Sequence, residues 1–146
     1  MNLSMITTQP SPEVEALIPV LILIYAVTFI AAFLINGAAF AFFFKKVGVE
    51  PWKGFVPFWN MWIFFKLGGV NPLISLLTLT AVIPFIGIVG VAFAAVYSCI
   101  AAYRIGLAFN KEGWWVLLYI FVPLVWLLVL AFDSSTFNPK LYNTQY

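Results

Sequence analysis

Three long apolar runs dominate the chain, at residues 16–44, 73–103 and 113–132. Polar punctuation separates them. Lys45 and Lys46 close the first run, Arg104 closes the second, and Asp133, Ser134 and Ser135 close the third. As helices, the first two would be roughly 43 and 46 Å long, and the hydrocarbon core of a bilayer is about 30 Å thick. Each is therefore long enough for one membrane helix. The third run opens on Trp114 and Trp115 and matches a single span with interfacial tryptophans at its start.

Prolines interrupt this pattern. Pro84, followed by Gly87, breaks the second run and leaves two arrangements open. Residues 73–103 form one kinked helix, or residues 73–83 form a half-helix and residues 85–103 complete a span. Pro123 is expected to kink the third helix. Between the first two runs lies GVEPWKGFVPFWNMWIFFKLGGVNP. Its apolar core, residues 55–65, is too short to cross a bilayer as a helix. It is also apolar nearly all round, unlike a surface helix with a strongly charged face. Pro57 suits the first turn of a helix, and Gly68, Gly69, Asn71 and Pro72 suit its end. The segment predicts a short helix over 53–67, interfacial or re-entrant. Re-entrant backbone needs protein cover, so the helix is expected to pack under the spanning helices.

Within the second run, Gly90, Ala94, Ser98 and Ala102 recur every four residues. That spacing places them on one helix face as a small-residue packing seam. Few polar groups fall at depth. Asn36, Asn60 and Lys66 are the candidates for a functional role there, and Pro57, Pro84 and Pro123 mark the helix breaks.

Composition fixes the solvent. The chain has 146 residues, 64% hydrophobic and 8% charged, with mean hydropathy +1.07. Soluble domains carry about 25% charged residues, and a soluble core of this size could not hide so much apolar surface. The expected fold class is an all-α integral membrane protein with three transmembrane helices and one short interfacial or re-entrant helix. Residues 1–15 form a lead, 16–132 a single membrane domain and 133–146 a polar tail. The lead lacks Lys and Arg and carries Glu13 and Glu15, so a retained first helix is expected rather than a cleaved signal peptide. Lys45, Lys46, Lys53 and Lys66 place residues 45–72 in the cytoplasm and the N-terminus outside. With three plain spans, Arg104 and Lys111 fall on the outer side. If the second run returns as a hairpin, they fall inside. The charge rule favours the hairpin, but residues 73–83 are short for a crossing, which tips the reading slightly to three spans.

The residues Trp52, Lys53, Val56, Pro57, Phe58, Trp59 and Asn60, then Lys66, Leu67 and Gly68, are followed by Ile83, Pro84, Phe85 and Ile86 and by Ala108, Phe109, Asn110 and Lys111. This series resembles a family of small bacterial membrane proteins of unassigned function, some labelled signal peptidase I by automatic transfer. The resemblance covers roughly residues 45–132. It departs from the family where Trp59 precedes Asn60 in place of tyrosine, and where the family has an aspartate before its Ala-Lys-Ala-Phe-like stretch. It implies an inner-membrane location and no catalytic residue.

The peptidase label finds no chemistry to rest on. A Ser–Lys protease needs a serine within reach of a desolvated lysine, and Ser75 and Ser98 read as helix-packing residues. The chain has no histidine and one cysteine, Cys99, so a Ser–His dyad and an internal disulfide are absent. Seven scattered basic residues make no nucleic-acid surface. No cofactor or metal site is expected. The partners expected are the lipid bilayer and a membrane protein, or further copies of the chain. The function expected is a non-enzymatic accessory, assembly or scaffolding subunit. The alternative is a small oligomeric transporter or channel built on discontinuous helices.

Overall fold

The computed structural model describes residues 11–83 and 85–143, and these are helical with no strand. Six α-helices run in order: α1 (Pro12–Lys46), α2 (Pro57–Leu67), α3 (Ile86–Ala108), α4 (Val116–Phe121), α5 (Pro123–Phe132) and α6 (Lys140–Asn143). Tight 3-10 helices lie at Pro51–Phe55, Pro72–Val82 and Gly113–Trp115. Two helices, α1 and α3, are long and apolar enough to cross a membrane, with mean hydropathies of 2.8 and 2.0. The chain divides into two compact units, Met1–Leu34 and Ile35–Tyr146. In the first, the described residues are the early turns of α1, and none of them is buried.

The second unit holds the core. The last turns of α1 contribute Ala39, Phe43 and Phe44, α2 contributes Ile63, Phe64 and Phe65, α3 contributes Ala101, Ala102 and Ile105, and α5 contributes Trp126, Leu127 and Leu130. Phe64 stands at the centre. Its ring stacks on Tyr119 at 5.7 Å and meets Phe40 and Trp126 edge-on at 6.3 and 6.2 Å. Helix α2 is thus covered by protein along one side, which answers how so apolar and so short a segment is accommodated. Small residues let the backbones approach. Gly37, Ala39 and Ala41 are buried on α1, and a Cβ on Gly54 would lie 2.5 Å from the Ala41 nitrogen.

The second apolar run is not one kinked helix. Residues 72–82 form a 3-10 helix that lies antiparallel against α3. A Cβ on Gly87 would meet the Thr80 carbonyl at 2.6 Å, one on Gly90 would meet Leu77 at 3.0 Å, and one on Gly68 would meet Ala101 at 2.6 Å. The residue numbers fall on one side as they rise on the other, which is the mark of a hairpin. Gly90, Ala94, Ser98 and Ala102 all lie on the buried face of α3. Side-chain hydroxyls support the 3-10 geometry: Ser75, Thr78 and Thr80 each donate to the carbonyl three residues earlier, at 2.6–2.7 Å. The expected break at Pro84 lies outside the described residues; beside it Phe85 takes φ 64, ψ −53, a positive-φ turn conformation from which α3 starts.

The third run also departs from expectation. A straight helix over 113–132 would set its ends roughly 30 Å apart. Yet Lys111, just before the run, pairs with Asp133, just after it, at 2.5 Å. The run doubles back. Pro123 supplies no N–H to the Tyr119 carbonyl, Val122 leaves helical geometry at φ −143, ψ 73, and Tyr119 packs on Trp126 at 5.3 Å. The single third span is therefore replaced by two short helices, α4 and α5. Sequence marks the break in either case, but a proline does not say whether a helix bends or reverses.

These close approaches predict an asymmetric glycine pattern. Gly68→Ala forces a methyl into the Ala101 backbone and should cost about 1–3 kcal/mol. Gly106, which has open space around it, should accept alanine without loss. Thermal unfolding of the two variants in detergent distinguishes them.

Candidate functional site: a polar anchor and a two-asparagine cavity

Helices α1, α2 and α3 end the same way. The C-terminal turn closes through a six-residue hydrogen bond, Val49 to Phe44 at 2.8 Å, Val70 to Phe65 at 2.9 Å and Lys111 to Gly106 at 2.9 Å. A left-handed residue completes each turn: Gly48, Gly69 and Asn110, with φ of 78, 63 and 58. This geometry delivers the basic residues to one layer. Arg104 donates to the Gly69 carbonyl at 2.9 Å, and Lys46 and Lys111 converge on Asp133.

The Lys46 ammonium donates to the Leu130 and Asp133 carbonyls at 2.5 and 2.8 Å and to the Asp133 carboxylate at 2.5 Å. It therefore caps carbonyls that the end of α5 leaves without helical partners. Lys111 takes the other carboxylate oxygen, and the Ser135 hydroxyl donates to the first at 2.6 Å. The two ammoniums also lie 5.1 and 5.0 Å from the Phe109 and Trp115 ring centres. All three charged side chains are about four-fifths buried. Partial burial acts to raise the Asp133 pKa, but the donors from Lys111, Lys46 and Ser135 outweigh it and hold the carboxyl well below the usual carboxylate range. Sequence reasoning missed this triad because it assigned Lys111 and Lys46 to opposite sides. The hairpin alternative, in which the two share a side, was its one available signal.

A second feature lies deeper. A cavity of about 400 Å³ is lined by Asn36 and Phe40 of α1, by Pro57, Asn60, Met61 and Phe64 of α2, and by Tyr119, Pro123, Leu124 and Leu127 around the α4–α5 reversal. Two of the three polar candidates, Asn36 and Asn60, meet here, with two of the three proline breaks. Lys66 does not join them; it is exposed in the last turn of α2, where a cation suits the helix end. The Asn60 amide donates to the Gly54 carbonyl at 3.4 Å, while the Asn36 side chain makes no hydrogen bond among the described residues. Among the described residues, no ionisable side chain lines the cavity apart from the Tyr119 phenol. Behind it, the wholly buried Trp126 has no acceptor for its indole N–H among the described residues.

The profile of a family of unknown function, DUF5684, matches residues 52–139. The chain belongs to DUF5684. No curated protein and no solved structure matches it. The DUF5684 match takes in Asn60, Lys111, Asp133 and the α4–α5 reversal, whereas α1, with Asn36 and Lys46, lies before it.

Removing the anchor's acid should be costly. Asp133→Asn leaves two ammoniums facing each other and should lower stability by about 2 kcal/mol. The pH dependence has a definite sign. A carboxyl whose folded pKa is depressed stabilises above its unfolded value, near 4, and that contribution fades as pH falls below it. Acid titration followed by tryptophan fluorescence should show this loss in the parent and a flatter acid limb in Asp133→Asn.

Proposed function

We propose that this chain is a non-enzymatic integral membrane protein that serves as an accessory, assembly or scaffolding subunit of a larger membrane complex. The observation that carries this reading is the exposed first part of α1. Tyr25, Phe29 and Phe33 recur every four residues and are 74%, 73% and 39% exposed. They form an aromatic ridge of the kind that fits the groove of a neighbouring helix, and the Tyr25 hydroxyl offers a hydrogen bond where lipid offers none. Further support comes from the hydroxyls. Ser75, Thr78, Thr80 and Ser98 all donate to backbone carbonyls at 2.6–2.7 Å, so each is satisfied within its own segment.

In this reading α1 and α3 cross the membrane, the Pro72–Val82 segment carries the chain back across between them, and α2 and the α4–α5 pair enter and return. The positive-inside rule then puts the Lys46–Asp133–Lys111 layer, with Lys45 and Arg104, in the cytoplasm and the N-terminus outside, in a cell inner membrane. A second reading, a small oligomeric transporter or channel, draws on the proline-broken segments around the Asn36 and Asn60 cavity.

Mild-detergent purification from the native membrane should recover a stoichiometric membrane partner, and Phe29→Ala with Phe33→Ala should release it. Recovery of a homo-oligomer alone, with solute flux in liposomes altered by Asn60→Ala, would replace the first reading by the second. For orientation, Lys45→Cys and Glu112→Cys, each made in a Cys99→Ala background, should label from the same side of sealed vesicles. A three-span topology labels them from opposite sides.

A further inference from the structure

We infer that the cavity between α1, α2 and the α4–α5 reversal is a binding site for a neutral, membrane-dissolved molecule whose head carries a carbonyl oxygen on an apolar body. Three observations carry this. The first is size: about 400 Å³ falls within the range of small-molecule sites, roughly 300–1,000 Å³. The second is the donor set. Asn36 and Asn60 both line this space, and the side chain of Asn36, which is exposed on the α1 surface at the cavity's edge, makes no hydrogen bond among the described residues. A carboxamide left unpaired in hydrocarbon is costly, and a carbonyl acceptor on a ligand relieves that cost. The walls are aromatic and aliphatic, with Phe40, Phe64 and Leu127 among them, and among the described residues no lysine, arginine or carboxylate lines the space. A charged head would find no counter-ion there.

The third observation is depth, and it rests on the membrane-embedded reading. Asn36 precedes Lys46 by ten residues of continuous helix, which is about 15 Å along the axis. With Lys46 in the interfacial layer, Asn36 lies near the middle of a hydrocarbon core about 30 Å thick. A phospholipid head stays at the interface. Neutral lipids and quinone-type molecules can bring a carbonyl to the midplane.

The test uses the purified full chain in detergent. Native mass spectrometry measures binding of decylubiquinone, dioleoylglycerol and oleate, each alone and in competition. Binding of decylubiquinone or of dioleoylglycerol in preference to oleate is expected, and whichever neutral probe wins identifies the source. Asn36→Leu should weaken that binding about tenfold, the value of one hydrogen bond. It should leave the unfolding temperature unchanged or raised, because leucine is at ease where the amide is unpaired. Asn60→Leu also removes the contact to Gly54, so the Asn36 variant decides if the Asn60 variant fails to fold. Oleate binding as tightly as the neutral probes, or neutral binding untouched by Asn36→Leu, overturns the inference. Because the chain is tested without partners, cysteine labelling that supports the topology separates failure of this site from failure of the membrane reading.

Discussion

One carboxylate holds the second unit together. Asp133 stands where α5 ends, and it receives Lys46 from the end of α1 and Lys111 from beyond the end of α3. Helix C-termini carry partial negative charge, and three of them gather here beside a formal anion. Two ammoniums make that gathering favourable, and each covers an aromatic ring as it does so. The arrangement dictates path as well as stability. With both ends of residues 113–132 tied to one layer, the run has to turn around in its middle. Pro123 is where it can do so, because no hydrogen bond is lost there that proline had not already removed.

The reversal in turn creates the cavity. Two helices that diverge from a tight break leave space at the break, and the proline that begins α2 leaves another irregular stretch facing it. Phe64 fills the space toward the core and closes it with Tyr119 and Trp126. On the other side the two asparagines remain, in a region otherwise free of polar side chains apart from Tyr119. The reversal of residues 113–132 and the space beside it are thus consequences of one constraint.

Much of the element pattern could be read from the chain. The expected helix at 53–67 corresponds to a 3-10 turn and α2, the small-residue row of α3 is buried, and a break follows Val82. What could not be read is direction. Hydrophobic runs report how much chain can lie in an apolar medium, not whether it crosses or returns, and both 73–103 and 113–132 return. The anchor was hidden for a related reason. Lys46, Lys111 and Asp133 are far apart in sequence, and each has an ordinary local explanation as a flanking or stop residue. Asn36 and Asn60 were visible singly as polar groups at depth, but their meeting in one cavity depends on the approach of Gly54 to Ala41, which no periodicity shows.

The anchor also sets a schedule for the newborn chain. Lys46 finds its acceptor 87 residues later. At a synthesis rate of about 5–20 residues per second, it waits roughly 4 to 17 seconds for that partner to be made. By the last part of that interval α1, α2 and α3 are complete, yet until Asp133 is made the ammoniums of Lys46 and Lys111 have no shared carboxylate and α5 has no finished end. The fold is therefore sealed from its C-terminal third, and whatever handles the unfinished chain in the cell meets a cationic layer that the finished protein no longer displays.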